Sequence, residues 1–230
     1  NTSFTQLSLS SNSDYILYVW SYNSCGVSSV SVLNQKTLFL CGVDNITFYY
    51  RGSNYTYNSK VGQNASCWMD RNLGATAIPT AHNHSSGYGD LFQWGRLDDG
   101  HQSRTSSTTT TLSSNPVPGH SSFILNSGNW YTGSNPDNLW QGVMGVNNPC
   151  PAGWRIPTYT ELNSEVLNMS PQNYNGGFAS ILKFTTACWR NNSTGEVALT
   201  GNYVYYWSSS VSGSSVSLLD FTSSVIKWIS

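Results

Sequence analysis

One helix stands out in this sequence because its first turn carries a capping box. In the stretch IPTYTELNSEVLN, Thr158 is placed to cap a helix that begins just after a proline, and Glu161 follows three residues later. Tyr159, Leu162 and Val166 then recur on one face. Elsewhere the chain favours short strands and polar loops, so the sequence predicts an α+β fold with one main helix, a mixed sheet and long loops.

Three segments near the end of the sequence have the composition of strands. They are ASILKFTTACW (179–189), GNYVYYWSSS (201–210) and VSLLDFTSSVIKWIS (216–230). We expect each of them to contribute to the mixed sheet, because β-branched and aromatic residues favour a pleated, half-buried surface. The segment SRTSSTTTTLSSNPVPGHSS (103–122) is too polar and repetitive to form core, and it is predicted to be a surface loop.

Residues 1–40 are predicted to form a β-hairpin. The segment DYILYVWSYNSCG is rich in strand-forming residues, turns over 23–26, and returns as VSSVSVLNQKTLFL. This stretch resembles the last two strands of an immunoglobulin-like or fibronectin type III domain. Such a sandwich needs about seven strands, and an isolated hairpin is marginal in water, so these strands must find partners elsewhere. Residues 1–40 are therefore interpreted as a β-strand arm and a candidate donor to another chain.

The composition excludes several classes of partner. Only 9% of the residues are charged and the net charge is -1, so the chain offers no basic surface for nucleic acid or anionic lipid. Nine Trp, fourteen Tyr and eight Phe are enough to bury a core. No apolar run approaches the roughly 18 residues of a membrane span. We expect no nucleic-acid partner and no membrane insertion.

The cysteines favour an oxidising compartment. All five are widely spaced, with no pair at the two-residue separation typical of structural zinc. In a Ser-, Thr- and Asn-rich chain they are better interpreted as disulfide partners, with one thiol left over, Cys25 among the candidates, or paired to another chain. The expected location is extracellular or at a cell surface. Asn-x-Ser/Thr sequons occur about as often as chance predicts, and the glycosylation candidates are Asn45, Asn54, Asn64, Asn83 and Asn192.

Four separated motifs carry a resemblance to a known family. They are CWMDRNLGA (67–75), YGDLFQWGRLDDGHQ (88–102), NPCPAGWRIPTYTEL (148–162) and YYWSSS (205–210). In order and spacing they are similar to the Fibrobacter succinogenes major paralogous domain family, found on secreted and surface proteins of Bacteroidetes-type bacteria. The resemblance implies that residues 41–230 form a C-type-lectin-like domain, with the helix packed on a twisted mixed sheet. The last two motifs also resemble formylglycine-generating enzymes, which share that fold.

The resemblance also bears on the cysteines, because members of the family usually finish with a further strand whose cysteine pairs with that of the Asn-Pro-Cys-Pro motif. The present sequence stops at VIKWIS instead. Cys150 is then expected to pair with Cys188 or to remain free. Cys41 and Cys67 flank the first strands of the domain and are candidates to pair with each other. The cysteine arrangement of the formylglycine-generating enzymes is missing, so no catalytic residue is assigned and we do not expect an enzyme.

Charged groups concentrate in the second motif and allow two interpretations. Asp98, Asp99 and His101 offer carboxylates and an imidazole for acid/base chemistry. The alternative is a buried turn in which the aspartates accept backbone N–H groups and pair with Arg96 or Arg104, and we favour it. Trp94 is interpreted as core. The residues predicted to form the structural motif are Trp94, Arg96, Asp98, Asp99, His101, Arg155 and Trp207.

A calcium site is the metal hypothesis for which the sequence offers a motif. Asn135-Pro136-Asp137 faintly resembles the carbonyl pair with which C-type lectins ligate calcium and sugar hydroxyls. Calcium needs six to eight oxygens, and Asn135, Asp137 and their neighbour Asn138 supply only some of them. The downstream lectin ligand motif is absent from the sequence, and a polar turn is the alternative interpretation. The proposed metal residues are Asn135 and Asp137.

The expected function is therefore non-catalytic. We expect an extracellular structural or adhesive protein of a bacterial surface. One interpretation makes it the repeating subunit of a filament in which copies of the chain exchange strands. The rival explanation is that the chain is cut from a longer polypeptide. The alternative function is a glycan-binding lectin-like module. The residues predicted for the assembly strand are Tyr15, Ile16, Leu17, Tyr18, Val19 and Trp20.

Overall fold

The computed structural model describes residues 5–198, 201–212 and 215–229, with the side chain of residue 212 excepted. Its α-helices are α1 (Tyr159–Val166) and α2 (Tyr174–Ala179). The strands are β1 (Asp14–Val19), β2 (Tyr22–Asn23), β3 (Gly26–Val27), β4 (Ser31–Lys36), β5 (Asn45–Tyr50), β6 (Ser53–Val61), β7 (Cys67–Met69), β8 (Thr108–Thr109), β9 (Phe123–Ile124), β10 (Trp189–Arg190), β11 (Val197–Ala198), β12 (Val204–Ser212), β13 (Ser215–Phe221) and β14 (Ile226–Ile229). The protein is α+β, as the sequence predicts, but the predicted mixed sheet is wrong, because both three-stranded sheets are antiparallel and the parallel pair β8–β9 is separate from them.

Helix α1 begins where the capping box predicts. The Thr158 hydroxyl accepts a hydrogen bond from the Glu161 backbone at 3.3 Å, and the Glu161 carboxylate accepts one from the Thr158 backbone at 2.9 Å. Leu162 and Val166 are buried, while Tyr159 packs on Trp228 with ring centroids 4.3 Å apart. The predicted apolar face of the helix is therefore the face that packs on the body.

Two three-stranded antiparallel sheets form the framework of the body, with strand orders β5-β6-β7 and β12-β13-β14. Helix α1 packs against β12. The main core lies between this helix and the second sheet, where Leu162, Val166, Leu219 and Phe221 are buried together. A second cluster of buried apolar residues lies in the loop-rich part of the body and contains Ile124, Trp130, Tyr131 and Leu139.

Segment 179–189 does not form the strand that its composition suggests, so that prediction is wrong. Its first residue ends α2, a turn follows, and only its last residue belongs to β10. Asn173 begins α2, because its side-chain oxygen accepts hydrogen bonds from the backbone N–H groups two and three residues later. Lys183 and Cys188 then adopt positive φ angles of 52° and 68°, which interrupt an extended conformation. The segment still buries apolar side chains, but as irregular chain.

The predicted hairpin forms an arm, defined here as residues 5–40. Strand β1 pairs antiparallel with β4, and β2 pairs with β3 around the turn at 24–25. In the described part of the chain, no third strand lies beside either pair. Ile16, Tyr18 and Trp20 are 58%, 55% and 55% exposed; the first two share one face of β1, and Trp20 directly follows that strand. The arm therefore carries apolar alternation that its own chain leaves largely uncovered.

The root of the arm is fixed to the body. The Asp44 carboxylate accepts hydrogen bonds from the Ser11 hydroxyl and the Leu40 backbone, both at 2.6 Å, and so joins the two legs of the arm. Next to this point, a disulfide connects Cys41 with Cys67 in β7, as expected for those two cysteines. Carboxylate and disulfide together hold the arm at its base while the rest of the hairpin projects from it.

Removing this disulfide is expected to lower the free energy of unfolding by about 3.5 kcal/mol, because the bond closes a loop with a sequence separation of 26. The change is Cys41→Ser together with Cys67→Ser, measured by urea unfolding without reductant. Cys25→Ser is the control, since Cys25 is exposed and unpaired. Equal stability of the double variant and the unchanged protein would contradict the assignment.

Candidate functional site

The backbone of residues 92–96 lies in the body without a strand or helix partner, and side chains from distant segments satisfy its carbonyl groups. The indole N–H groups of Trp207, Trp130 and Trp140 donate to the carbonyls of residues 92, 94 and 96 at 2.9, 2.8 and 3.2 Å. The Asn147 amide donates to the carbonyl of residue 95 at 2.8 Å. A buried carbonyl without a partner costs about 1–3 kcal/mol, so these donors stabilise the second motif in its turn conformation.

Arg96 is the centre of the motif, and it is fully buried. Its Nε donates to Asp99 at 2.8 Å, and one Nη donates to the Gln93 side chain at 2.9 Å. The remaining bonds go to the backbone carbonyls of Ser122 and His120, at 2.9 and 2.8 Å. The guanidinium therefore joins the second motif to the loop before β9. A buried charge of this kind is tolerated only when it is paired and hydrogen-bonded.

His101 is held in one neutral tautomer. Its Nδ1 lies 2.8 Å from the Asp99 carboxylate, and its Nε2 lies 3.0 Å from the backbone N–H of Gln93. A backbone N–H only donates, so Nε2 must accept and the ring proton resides on Nδ1. Burial lowers the pKa of His101 to about 4. Burial by itself would raise the pKa of Asp99, but hydrogen bonds from His101 bring that pKa below its ordinary value.

This geometry leaves little room for acid/base catalysis by the motif. His101 is fully buried, and both of its ring nitrogens are occupied inside the protein. Asp99 uses one oxygen for Arg96 and the other for His101. Asp98, by contrast, is exposed and lies outside this network. A general base must reach the proton of a substrate, and neither Asp99 nor His101 presents a free atom for that purpose.

The other residues of the predicted motif attach loops to regular elements. The indole N–H of Trp94 donates to the backbone carbonyl of Ser208 in β12 at 2.9 Å. Arg155 binds Glu161 with both terminal nitrogens, at 2.8 and 2.5 Å, and so orients the first turn of α1. These hydrogen bonds lower the pKa of Glu161 to about 2. Arg104 does not pair with the aspartates of the second motif; it stacks over Tyr88 with 5.4 Å between guanidinium carbon and ring centroid.

The structure places few potential calcium ligands around Asn135 and Asp137. Asn135 and Asp137 lie in an exposed turn, with Asn135 in the left-handed conformation at φ 54°. Across residues 5–198, 201–212 and 215–229, no group of three or more His, Cys, Asp or Glu side chains is arranged to hold a metal ion. The polar-turn interpretation accounts for the segment.

The remaining candidates differ in accessibility. Of the thiols, Cys150 and Cys188 are both unpaired, so the disulfide between them does not form, which leaves the alternative of free thiols. Burial raises the pKa of Cys150 to about 12. Cys25 is exposed near the tip of the arm.

The asparagines predicted as glycosylation sites are all exposed, namely Asn45, Asn54, Asn64, Asn83 and Asn192.

The arm presents the most extensive apolar surface among the predicted sites. Besides Ile16, Tyr18 and Trp20, the side chains of Val19 and Tyr22 are 54% and 86% exposed. Tyr18 and Trp20 stack on each other with centroids 6.3 Å apart and an interplanar angle of 24°. Among the predicted strand residues, Tyr15 and Leu17 are half-buried, and they lie on the opposite face. Contiguous exposed apolar surface of this kind marks an interaction site.

Comparison of the chain with protein-family models, curated proteins and solved structures found no significant match. Among the residues that the structure describes, no helix has the length and hydropathy needed to cross a bilayer. The site is therefore defined by its geometry: a buried Arg–Asp–His network that organises the body, and an exposed apolar arm.

Acid is expected to destabilise the fold through His101. The folded state holds this imidazole neutral to about pH 4, whereas the unfolded chain binds the proton near pH 6.5. The neutral imidazole therefore contributes its full stabilisation of the folded state above pH 6.5. As the pH falls towards 4, the free energy of unfolding decreases by about 3 kcal/mol. Urea unfolding at pH 7, 5.5 and 4 measures it. His101→Gln removes the titrating group, so the difference between variant and unchanged protein should shrink with acid; a constant difference would contradict the assignment.

Proposed function

We propose that this chain is a non-catalytic structural or adhesive protein of a bacterial surface. We further propose that residues 41–230 belong to the Fibrobacter succinogenes major paralogous domain family and adopt its C-type-lectin-like fold. The order of the four sequence motifs supports that assignment, as does one main helix packed on an antiparallel sheet. The structural use of the charged motif supports a role without catalysis, because Asp99 is hydrogen-bonded to Arg96 and His101 and has no free oxygen for a substrate.

The observation that carries the proposal is the exposed arm. A two-stranded hairpin with open edges and exposed Ile16, Tyr18 and Trp20 is a template for pairing with another chain. Full burial of three such side chains contributes roughly 4–9 kcal/mol before the costs of association. Copies that each offer an arm and receive one, in a head-to-tail contact that does not close, form a filament. The proposed partner is therefore another copy of the chain.

An extracellular location fits the chemistry of the chain. The Cys41–Cys67 disulfide is stable in oxidising compartments, and the exposed sequons are available for glycans. A near-neutral, weakly charged surface would keep such a filament from strong self-repulsion. These properties support the cell surface as the place of assembly.

Deletion of residues 1–40 tests the proposal. We expect the intact chain to sediment as a concentration-dependent series of oligomers and the shortened chain to sediment as a folded monomer. Near-ultraviolet circular dichroism of the shortened chain checks that its aromatic core is intact. Oligomers of unchanged size after the deletion would exclude the arm as the assembling element.

Glycan binding is the second candidate function, and the stacked pair Tyr18 and Trp20 favours it. Two nearly parallel exposed rings present apolar faces of the kind on which sugar rings stack. A glycan array probed with and without a calcium chelator tests this function. Binding that disappears in Trp20→Ser supports it, and absence of binding in both conditions removes it.

A further inference from the structure

A groove of about 1870 Å³ runs through the body beside the root of the arm. Asn12, Lys36 and Phe39 of the arm line part of it. Elsewhere its walls are mainly apolar and aromatic, and they include Trp68, Met69, Trp154, Ile156, Leu218 and Ile229. Binding sites of this shape, concave and apolar, receive apolar ligands or chain segments.

Two strands that each have one unpaired edge line part of the groove. Within residues 5–198, 201–212 and 215–229, β7 pairs only with β6 and β14 pairs only with β13. Residues 67–69 of β7 and Ile229 of β14 line the groove. An extended segment in the groove would therefore find both apolar walls and unpaired backbone groups, which is the combination used in strand addition.

The arm has the properties of such a segment. Asp14 and Lys36 are its only charged residues, and they face each other across β1 and β4, so the tip carries no charge that burial would desolvate. Tyr18, Trp20 and Tyr22 are 55%, 55% and 86% exposed and offer roughly 300–500 Å² of aromatic surface. With the exposed aliphatic side chains of the same hairpin, this area approaches the roughly 800 Å² per partner of a stable interface.

The arm is not free to enter the groove of its own chain. Asp44 and the Cys41–Cys67 disulfide fix its root, and the β1–β4 ladder extends from that root with the face of Ile16 and Tyr18 exposed. Because the arm of the same chain is excluded, the segment that can occupy the groove is the arm of a second copy.

We propose that the groove lined by β7 and by Ile229 of β14 is the acceptor site for the arm of a second copy of this chain. This inference rests on the proposed function, which supplies the arm as donor. An edge of the incoming hairpin pairs with an open strand edge of the groove, while the face of Tyr18 and Trp20 packs on its apolar wall. Each copy then has one donor and one acceptor, so the same contact repeats along the filament.

Two full-length variants separate donor from acceptor. Tyr18→Asp with Trp20→Asp removes the apolar surface of the arm and leaves the groove unchanged, so this protein can only accept an arm. Ile229→Asp places a charge in the groove and leaves the arm unchanged, so this protein can only donate its arm. Val225→Asp is the matched control, because Val225 is 39% exposed just before β14 and lies outside the groove. Near-ultraviolet circular dichroism and thermal unfolding establish that each variant is folded.

We expect the arm variant and Ile229→Asp each to be monomeric alone and their equimolar mixture to form a one-to-one heterodimer of twice the 25.3 kDa chain mass. Self-association should weaken at least about 100-fold in Ile229→Asp and about 1000-fold in the arm variant, and Val225→Asp should behave as the unchanged protein. A fluorophore on exposed Cys25 of the donor-only protein reports the titration by anisotropy. Failure of the two variants to combine would overturn the arm-in-groove contact.

The outcomes separate this inference from the proposed function. If Ile229→Asp still assembles as the unchanged chain does, the groove assignment is wrong while assembly through the arm stands. If the unchanged chain does not associate at all, the proposed function itself fails. A measurement without variants decides the case in which Ile229→Asp does not fold. Hydrogen exchange of the unchanged chain should show amides of 67–69 or 226–229 protected at high but not low concentration; equal exchange of both edges at both concentrations would overturn the inference.

Discussion

Replacing Arg96 with methionine is expected to lower the free energy of unfolding by about 3–5 kcal/mol. Methionine keeps much of the side-chain volume, so the loss comes from the hydrogen bonds rather than from a cavity. Asp99, Gln93 and the carbonyls of Ser122 and His120 all lose a donor inside the protein. An uncompensated buried carboxylate is the largest part of the cost. Urea unfolding at pH 7 measures the difference.

Arg155→Met is the matched control for Arg96→Met. Arg155 also pairs with a carboxylate, Glu161, but the two side chains are 33% and 30% exposed. Solvent screens this partly exposed pair, so this variant should lose only about 1–2 kcal/mol, clearly less than Arg96→Met. Equal losses in the two variants would mean that burial of the Arg96 network does not determine its contribution.

The arm variant Tyr18→Asp with Trp20→Asp is expected to weaken self-association at least about 1000-fold. Loss of two large apolar contacts removes roughly 4 kcal/mol or more, which corresponds to three orders of magnitude in the dissociation constant. Analytical ultracentrifugation over a wide concentration range measures it. The isolated monomer should keep its stability, because both side chains project from the body and are 55% exposed.

Ser31→Asp with Gln35→Asp is the control for added charge on the arm. It introduces the same two carboxylates on β4, on the face opposite Tyr18 and Trp20, and removes no large apolar side chain. Association should weaken far less than in the apolar variant. Comparable weakening would indicate that charge on the arm, rather than loss of the Tyr18 and Trp20 surface, is responsible.

Local signals account for the parts of the fold that the sequence predicts. The capping box of α1 and the turn at 23–26 each depend on residues that are neighbours in the chain, so a short pattern is enough. Segment 179–189 has strand composition but forms a turn and irregular chain, because its conformation follows from the cap at Asn173 and from positive φ angles. Composition carries no information on those angles.

The site is predictable in part for the same reason. The pairing of Arg96 with Asp99 spans three residues and is visible in the motif. The indole hydrogen bonds are not visible in the motif. Trp207 and the carbonyl of residue 92 are 115 residues apart in the sequence, and Trp140 and the carbonyl of residue 96 are 44 residues apart. The abundance of Trp is the one signal that points to them, but abundance does not name the acceptors. Long-range pairs of this kind depend on how the loops pack.

The groove lined by β7 and by Ile229 of β14 is likewise not predictable from the sequence, because it depends on how distant segments of the folded chain pack. The exposure of the arm is different. A two-stranded hairpin cannot bury both of its faces by itself, so the alternating sequence already predicts exposed apolar side chains.

The average molar mass of the intact chain as a function of concentration, measured by light scattering, tests the central claim most directly. Assembly through the arm predicts an average mass that rises with concentration from the 25.3 kDa of one chain and exceeds the mass of a dimer without reaching a plateau there. The same curve for Tyr18→Asp with Trp20→Asp should remain at the monomer mass. A constant 25.3 kDa for the intact chain at every concentration would contradict the account.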